Sequence, residues 1–440
     1  MNLKGFKQAT LAVSVALALS ACGGSSDSDS GTGGVQPAEQ LTAELAFQAY
    51  LCDARQPISN ADVIVHQQDG SILSQTKTAS DGLVSIDWTN NARHITFAVE
   101  TSDELSVKTY TEVIGGDLGV KVFYNSALDQ QCNCESVTFD LADVNAVYGN
   151  YGVIVNGRRI DQTSQVTICE YSGNFDPINI VLSPNQSGAI AYAAQLEVNA
   201  NDISQTVVIP SGIFAGAENQ GENILVSTKD VTHHDTYFRT FSENEFGRVN
   251  GILWPSLYDV HVFPGLYDNN FVTAGLWDHS LSNQYGYVTH FTTDRMRVTD
   301  TSIEQVIDLQ DNKFELLNAT TSMLENMLDG SATSYDFSGI GNGRTLLSVS
   351  LDGYLSSSWN IEAPLKGNMP ALALPSDIEA KLEQMNQPDF VVDIYGYGTH
   401  SHSEYNAFRQ QNARISREQP DVRPAVFDNY TNESIRVRLY

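Results

Sequence analysis

Ala61-Asp-Val-Ile-Val-His66, then the turn Gln68-Asp69-Gly70, then Ser80-Asp81-Gly82 leading into Leu83-Val-Ser-Ile-Asp-Trp88: this succession decides the fold. Short runs rich in β-branched residues suit a pleated, half-buried surface, and alternation sends successive side chains to opposite faces. Asp-Gly supplies the reversal, because Gly accepts positive φ and Asp bonds backbone two residues on. His94-Ile-Thr-Phe-Ala-Val-Glu100 adds another strand. Strands this short, at this spacing, predict a β-sandwich over residues 41–125.

The same texture continues outward. Ser136-Val-Thr-Phe-Asp-Leu141, Gln165-Val-Thr-Ile-Cys169, Ile178-Asn-Ile-Val-Leu182 and Gln205-Thr-Val-Val-Ile209 predict a second sandwich over 126–228. Tyr258-Asp-Val-His-Val-Phe263 and Tyr285-Gly-Tyr-Val-Thr-His-Phe291 predict a third β-rich domain over 229–311. Residues 312–440 read as a C-terminal β-rich domain with a short helix. Ser376-Asp-Ile-Glu379 has the spacing of a capping box, and Leu346–Leu351, Phe390–Tyr395 and Ser434–Tyr440 alternate as strands. Phe314, Leu317, Thr321, Leu324 and Leu328 fall near a helical period, with a strand pair as the alternative. The expected class is mainly β, with Ig-like and transthyretin-like sandwiches in series.

The first of these blocks carries a resemblance. Asp53-x-x-x-Pro57-Ile58-x-x-Ala61-x-Val63, followed by Thr78-x-x-Asp81-Gly82, is similar to the carboxypeptidase regulatory-like domain, a transthyretin-like sandwich. It departs from that pattern at Gln56 and Asn60, where the family often has Gly. The resemblance implies a spacer or binding module and no catalytic unit.

At the N-terminus, Lys4 and Lys7 precede an apolar run from Leu11 to Leu19 and then Leu19-Ser20-Ala21-Cys22. The run is shorter than the ~20 residues that span a bilayer, and the order of charge, apolar run and small residues is that of an export signal. Leu19–Cys22 resembles the lipobox of bacterial lipoproteins. The resemblance implies cleavage after residue 21 and acylation of Cys22, including palmitate. With Gly23 next, it also implies sorting to the outer membrane of a Gram-negative cell. Several acyl chains hold stably where one holds weakly. Residues 22–40 contain almost no apolar side chains and predict a flexible tether.

The formal net charge is −29, which opposes nucleic acid and anionic lipid surfaces. The expected partners are therefore the membrane, through its anchor, and a glycan or envelope protein, with no nucleic acid. Arg409, Arg414, Arg417, Arg423, Arg436 and Arg438 form a local exception, placed to pair with acidic surfaces elsewhere.

Four cysteines remain besides Cys22. In an oxidising compartment Cys52, Cys132, Cys134 and Cys169 read as two disulfides. Cys132 and Cys134 share a strand face and are poorly placed to bond each other. Cys52–Cys132 with Cys134–Cys169 is the favoured pairing, the exchanged pairing the alternative, and a four-thiolate zinc site the functional rival.

Motifs for chemistry are sparse. There is no Gly-x-Ser-x-Gly, no His-Glu-x-x-His and no phosphate loop, and Gly339-Ile-Gly-Asn-Gly343 reads as a hairpin turn. No cofactor is implied. His400, His402 and Glu404 fall at alternate positions, so a strand would present two imidazoles and a carboxylate on one face, as a divalent metal requires. His233-His234-Asp235 is a second cluster. Trp254, Tyr258, Trp277 and Tyr285 lie among Asp and Asn, the mix used to stack on and hydrogen-bond sugars. The first functional expectation is a lipid-anchored envelope protein with a binding, adhesion or scaffolding role. The alternative is a glycan-acting or metal-dependent hydrolase using residues 400–404 or the aromatic 254–291 face.

Overall fold

A computed structural model describes residues 39–439 apart from 102–103, 172–173, 176, 199–205, 230–235, 245–246, 255–258, 330–331, 354–356, 386–387, 399–403 and 419–423. The protein is mainly β, with several sheets and few helices. Cys22, the signal and nearly all of the tether lie outside the described residues. The first strand, Glu39–Gln48, begins two residues inside the span expected to be tether, because Leu41 onward already alternates into a core.

Glu39–Gln48 is the spine of the N-terminal sheet. It pairs antiparallel with Arg55–Pro57 and Leu83–Trp88, and parallel with Gly116–Tyr124. The quoted turns explain its closure. Thr78 is buried, and its hydroxyl accepts from the Ala61 amide (3.0 Å) and donates to the Ile58 carbonyl (2.6 Å). Asp81 Oδ1 accepts from the Leu83 amide. Gly82 has φ +77°, and a Cβ there would strike the Leu45 carbonyl oxygen, so both backbone angle and space require Gly.

Residues 134–208 form two four-stranded sheets around one core. One runs Arg158–Ile160, Tyr151–Val155, Ile178–Pro184, Tyr192–Leu196; the other Asn174–Phe175, Gln165–Tyr171, Cys134–Asp140, Val207–Val208. Val137, Phe139, Val153, Ile168, Ile180 and Phe214 fill the space between them. Helix α1 (Ala142–Tyr148), which no sequence signal announced, adds Val144 to that core.

The dominant element is a sheet of twelve strands. In spatial order it runs Gly247–Trp254, Thr236–Asn244, Asn269–Asn283, Gly286–Val298, Tyr430–Leu439, Asp389–Gly396, Leu346–Asp352, Ser358–Pro364, Leu105–Tyr110, His94–Glu100, Asp62–His66, Ile72–Lys77. Strands from residues 41–125, 229–311 and 312–440 thus share one hydrogen-bonded ladder. The joint is the parallel pairing of Ser358–Pro364 with Leu105–Tyr110, from Ser358 opposite Ser106 to Glu362 opposite Tyr110.

One face of this sheet is apolar along its length. Val107, Ile361, Val349, Val392, Ile435 and Val437 pack under three pieces: α2 (Lys313–Leu328), α3 (Ser376–Leu382) and the hairpin of Thr333–Asp336 with Lys366–Met369. At the far end Phe238, Trp254, Val272 and Ala274 continue it against Val260, Val262 and Phe263. The opposite face is buried where Val63, Val65, Ile95 and Phe97 meet the N-terminal sheet, and again where Leu346 and Tyr395 meet Tyr405, Phe408 and Phe427. Helix α2 resolves the 314–328 ambiguity in favour of a helix of 16 residues. Helix α3 forms as expected, but its cap is Pro375 and no side chain bonds the cap amides, so Ser376 lies inside the helix rather than capping it.

Helix α4 (Tyr405–Glu418) was not legible as a helix. It packs on Gly116–Tyr124, where the Ser416 hydroxyl accepts from the Val120 amide (2.9 Å). Arg417 binds Asp117 and Glu44 there, and Arg438 grips Asp389 with two nitrogens (2.9 and 3.2 Å). Of the C-terminal arginines, Arg417 thus meets acidic partners from the N-terminal block, whereas Arg438 pairs within the C-terminal one, and Arg423 lies outside the described residues.

Both disulfides form, Cys52–Cys132 and Cys134–Cys169, so no free thiolate among these four is left for zinc. Cys134 and Cys169 stand directly opposite in an antiparallel ladder. Cys52–Cys132 ties the N-terminal sheet to the sandwich beyond it. Ala49, Leu128 and Cys169 pack around the bridge, and Asp129 Oδ1 accepts from the Tyr50 and Leu51 amides. Closing loops of 80 and 35 residues stabilises the fold by roughly 4.5 and 3.8 kcal/mol on the chain-entropy relation.

Candidate functional site

The sequence-selected aromatics do not form one patch. Trp254 is buried, with its indole N–H donating to Thr240 Oγ1 (2.7 Å) and its ring 5.1 Å from His261. It stands opposite Phe238, which stands opposite Ala274, so it lies on the apolar face. Trp277 lies on the other face and is 51% exposed. Tyr285 sits in the turn between two long strands, its hydroxyl 3.2 Å from Glu325 of α2. Tyr258 lies outside the described residues, as do His400, His402 and the 233–235 cluster. Glu404 is exposed, immediately before α4.

Two features remain as candidates. The first is the polar face of the long sheet. Directly opposed residues share a face. Trp277 stands opposite Phe291, Phe291 opposite Ser434 and Tyr287 opposite Arg438. From there Asp393, Asp389, Ser348, Ser350, Asp352 and Asn360 continue across the next three strands. The Trp277 and Phe291 rings are 4.4 Å apart, and Tyr287 is 69% exposed. Burial pushes the Asp393 and Asp352 carboxyls above the usual range, opposed by hydrogen bonds from Ser434 and Ser350 respectively. Exposed aromatic rings beside short hydroxyls, amides and arginine–carboxylate pairs give a surface that can stack on and hydrogen-bond a polar ligand.

The second feature is a buried charged centre on the apolar side. It sits where Gly286–Val298 and Tyr430–Leu439 pass under the start of α2. Glu433 and His290 are both fully buried there. Each oxygen of Glu433 meets two donors. Oε1 takes His290 Nε2 (2.9 Å) and the Asn312 amide (2.7 Å); Oε2 takes Asn312 Nδ2 (3.0 Å) and Arg344 Nη1 (2.9 Å). Burial alone would raise this carboxyl. The His290 bond, the Arg344 charge and the Asn312 bonds outweigh it and hold Glu433 below the usual range. Gly341, at φ +72°, leaves room that a Cβ would take from the Arg344 guanidinium, so the glycine-rich turn read at 339–343 also makes space for this cation.

Around Glu433, among the described residues, three buried nitrogens have no hydrogen-bond partner, Arg344 Nε and Nη2 and His290 Nδ1, and of these only the imidazole nitrogen can act as an acceptor or ligand. It is buried without a hydrogen-bond partner, 3.9 Å from Asp311 Oδ1. Asp278 stands directly opposite His290 in the ladder. Lys313 Nζ bridges Asp278 (2.9 Å) and Asp311 (3.8 Å). Ligand atoms of His290, Asp311 and Glu433 all lie within 4.8 Å of one another. On the same face Asp294 is pushed up to about 7, chiefly by burial and against a hydrogen bond from Thr431.

His290 was visible in the alternating Tyr285–Phe291 stretch, at the same parity as the core residue Val288. A titratable residue at core parity was the available signal. Glu433 had none, since the strand reads from Ser434 but begins at Tyr430. No family model matches the chain, and no curated protein matches it as a relative.

Proposed function

We propose that this is a lipid-anchored envelope protein whose long sheet offers its polar face for binding, with a glycan or an envelope protein as partner. The observation that carries the anchor is the stretch from Lys4 to Cys22 followed by a tether with almost no apolar residues. The two disulfides agree with an oxidising compartment. No helix among the described residues is long and apolar enough to cross a membrane, and on this reading acyl chains supply the attachment. The binding role is supported by Trp277 and Tyr287, exposed beside the Asp389–Arg438 pair on the polar face.

The test is metabolic labelling with an alkyne-bearing palmitate in a Gram-negative host, followed by membrane fractionation. The wild-type chain takes label and sediments with outer membrane. Cys22→Ala takes none and is recovered in the soluble fraction. Equal labelling of both chains, or a soluble wild type, contradicts the reading.

A further inference from the structure

We propose that His290 and Asp311 are the protein ligands of a site for a divalent transition metal of the zinc class, with Glu433 as the carboxylate that orients the histidine. The argument begins with the orphan atom. A buried ring nitrogen without a partner is destabilising and calls for an explanation, an unseen ion among them. His290 is fully buried, and Nδ1 is the atom left without a partner. Its other nitrogen is committed to Glu433 at 2.9 Å. An ionised carboxylate can only accept, so Nε2 is the nitrogen that donates to Glu433 and Nδ1 is the one left to offer a lone pair to a metal. A metal-bound imidazole has this arrangement, with its second nitrogen donating to a carboxylate that fixes tautomer and ring.

The lone pair faces oxygen ligands. Asp311 Oδ1 is 3.9 Å from Nδ1, and an ion placed between them would lie near the ~2.0–2.2 Å typical of zinc with nitrogen and carboxylate oxygen. Glu433 is the other carboxylate within 4.8 Å of both His290 and Asp311. Imidazole with carboxylate oxygen suits zinc, manganese or cobalt and leaves positions for water. Asp311 is 28% exposed, which gives the ion a route in from solvent.

A cation already stands there. Lys313 Nζ lies 2.9 Å from Asp278 and 3.8 Å from Asp311, and its side chain is 24% exposed. Metal entry displaces this ammonium from Asp311, so lysine and metal compete for that carboxylate. Removing the lysine charge should therefore tighten metal binding, an outcome that a general acidic surface patch does not predict.

The experiment titrates the purified, oxidised full chain with Zn²⁺ by calorimetry and with Co²⁺ by visible absorption. One saturating equivalent is expected, with cobalt bands of a nitrogen–oxygen site. Asp311→Asn, at a partly exposed position that leaves the core intact, should weaken binding about tenfold or more. Glu433→Gln should weaken it about 10–100-fold, as for loss of an outer carboxylate. Lys313→Met should tighten it several-fold. Absence of saturable binding overturns the site. So does binding that ignores Asp311→Asn and Lys313→Met, or that disappears with His400→Ala/His402→Ala while Asp311→Asn retains it.

Discussion

Replacing Glu433 by Ala should cost about 3–5 kcal/mol, far more than one lost hydrogen bond, because it leaves Arg344 buried without the carboxylate it pairs with. Arg344 has a fully buried side chain, and its Nη1 lies 2.9 Å from Glu433 Oε2. Among the described residues the same Nη1 also donates to the Ile340 carbonyl (3.2 Å), while Nε and Nη2 have no partner. The same substitution strips partners from His290 Nε2 and from the Asn312 amide at the start of α2. Were Glu433 merely one neutral acceptor, its loss would cost only about 1 kcal/mol. The assay is urea unfolding followed by tryptophan fluorescence, with EDTA present and the disulfides intact. The double variant Glu433→Leu/Arg344→Met should recover most of the loss, since exchanging both charges for apolar groups is often neutral. Because Glu433 is held below its ordinary 4.5, its stabilisation is full above that value and disappears as pH falls through the folded value. The wild-type advantage over Glu433→Ala should therefore shrink in acid. A cost under about 1 kcal/mol at neutral pH, or a double variant no better than Glu433→Ala, refutes the reasoning.

Asp294 has the opposite sign. Its carboxyl is pushed up to about 7, so its contribution is full below the ordinary 3.8 and is lost as pH rises through about 7. Asp294→Asn should gain roughly 2 kcal/mol over wild type at pH 8, and the gap should close by pH 4, read as the difference between the two urea midpoints. Trp254→Ala should lose about 3–5 kcal/mol while Trp277→Ala stays within about 0.5, since one ring is buried and the other half exposed; thermal melts of the two variants check this. Cys134→Ser/Cys169→Ser should lower stability by up to about 4 kcal/mol, measured against wild type under non-reducing conditions.

Much of the local structure was legible because alternation and Asp-Gly turns are local signals. Asp62–His66, Leu83–Trp88, His94–Glu100 and Asp389–Gly396 appear where the residues place them. The favoured cysteine pairing also formed, although Cys132 ends a short 3-10 turn and only Cys134 lies on the strand, so the shared strand face expected for the two is absent. Alternation states which face a side chain takes but not which strand lies beside it. Ser358–Pro364 therefore gave no sign of pairing with Leu105–Tyr110, some 250 residues earlier. The candidate centre was hidden for the same reason. His290, Asp311, Arg344 and Glu433 come from four separate stretches and meet only through tertiary pairing. Helix α4 was missed because its buried Tyr405, Phe408, Arg409 and Ala413 include a charged residue and sparse apolar ones.

Intact-mass and peptide analysis of the chain recovered from its native envelope addresses the anchor most directly. The account predicts that the first residue is Cys22, carrying a diacylglyceryl thioether and an amide-linked acyl chain, with the preceding leader absent. A free thiol at Cys22, or a chain still beginning at Met1, would contradict it.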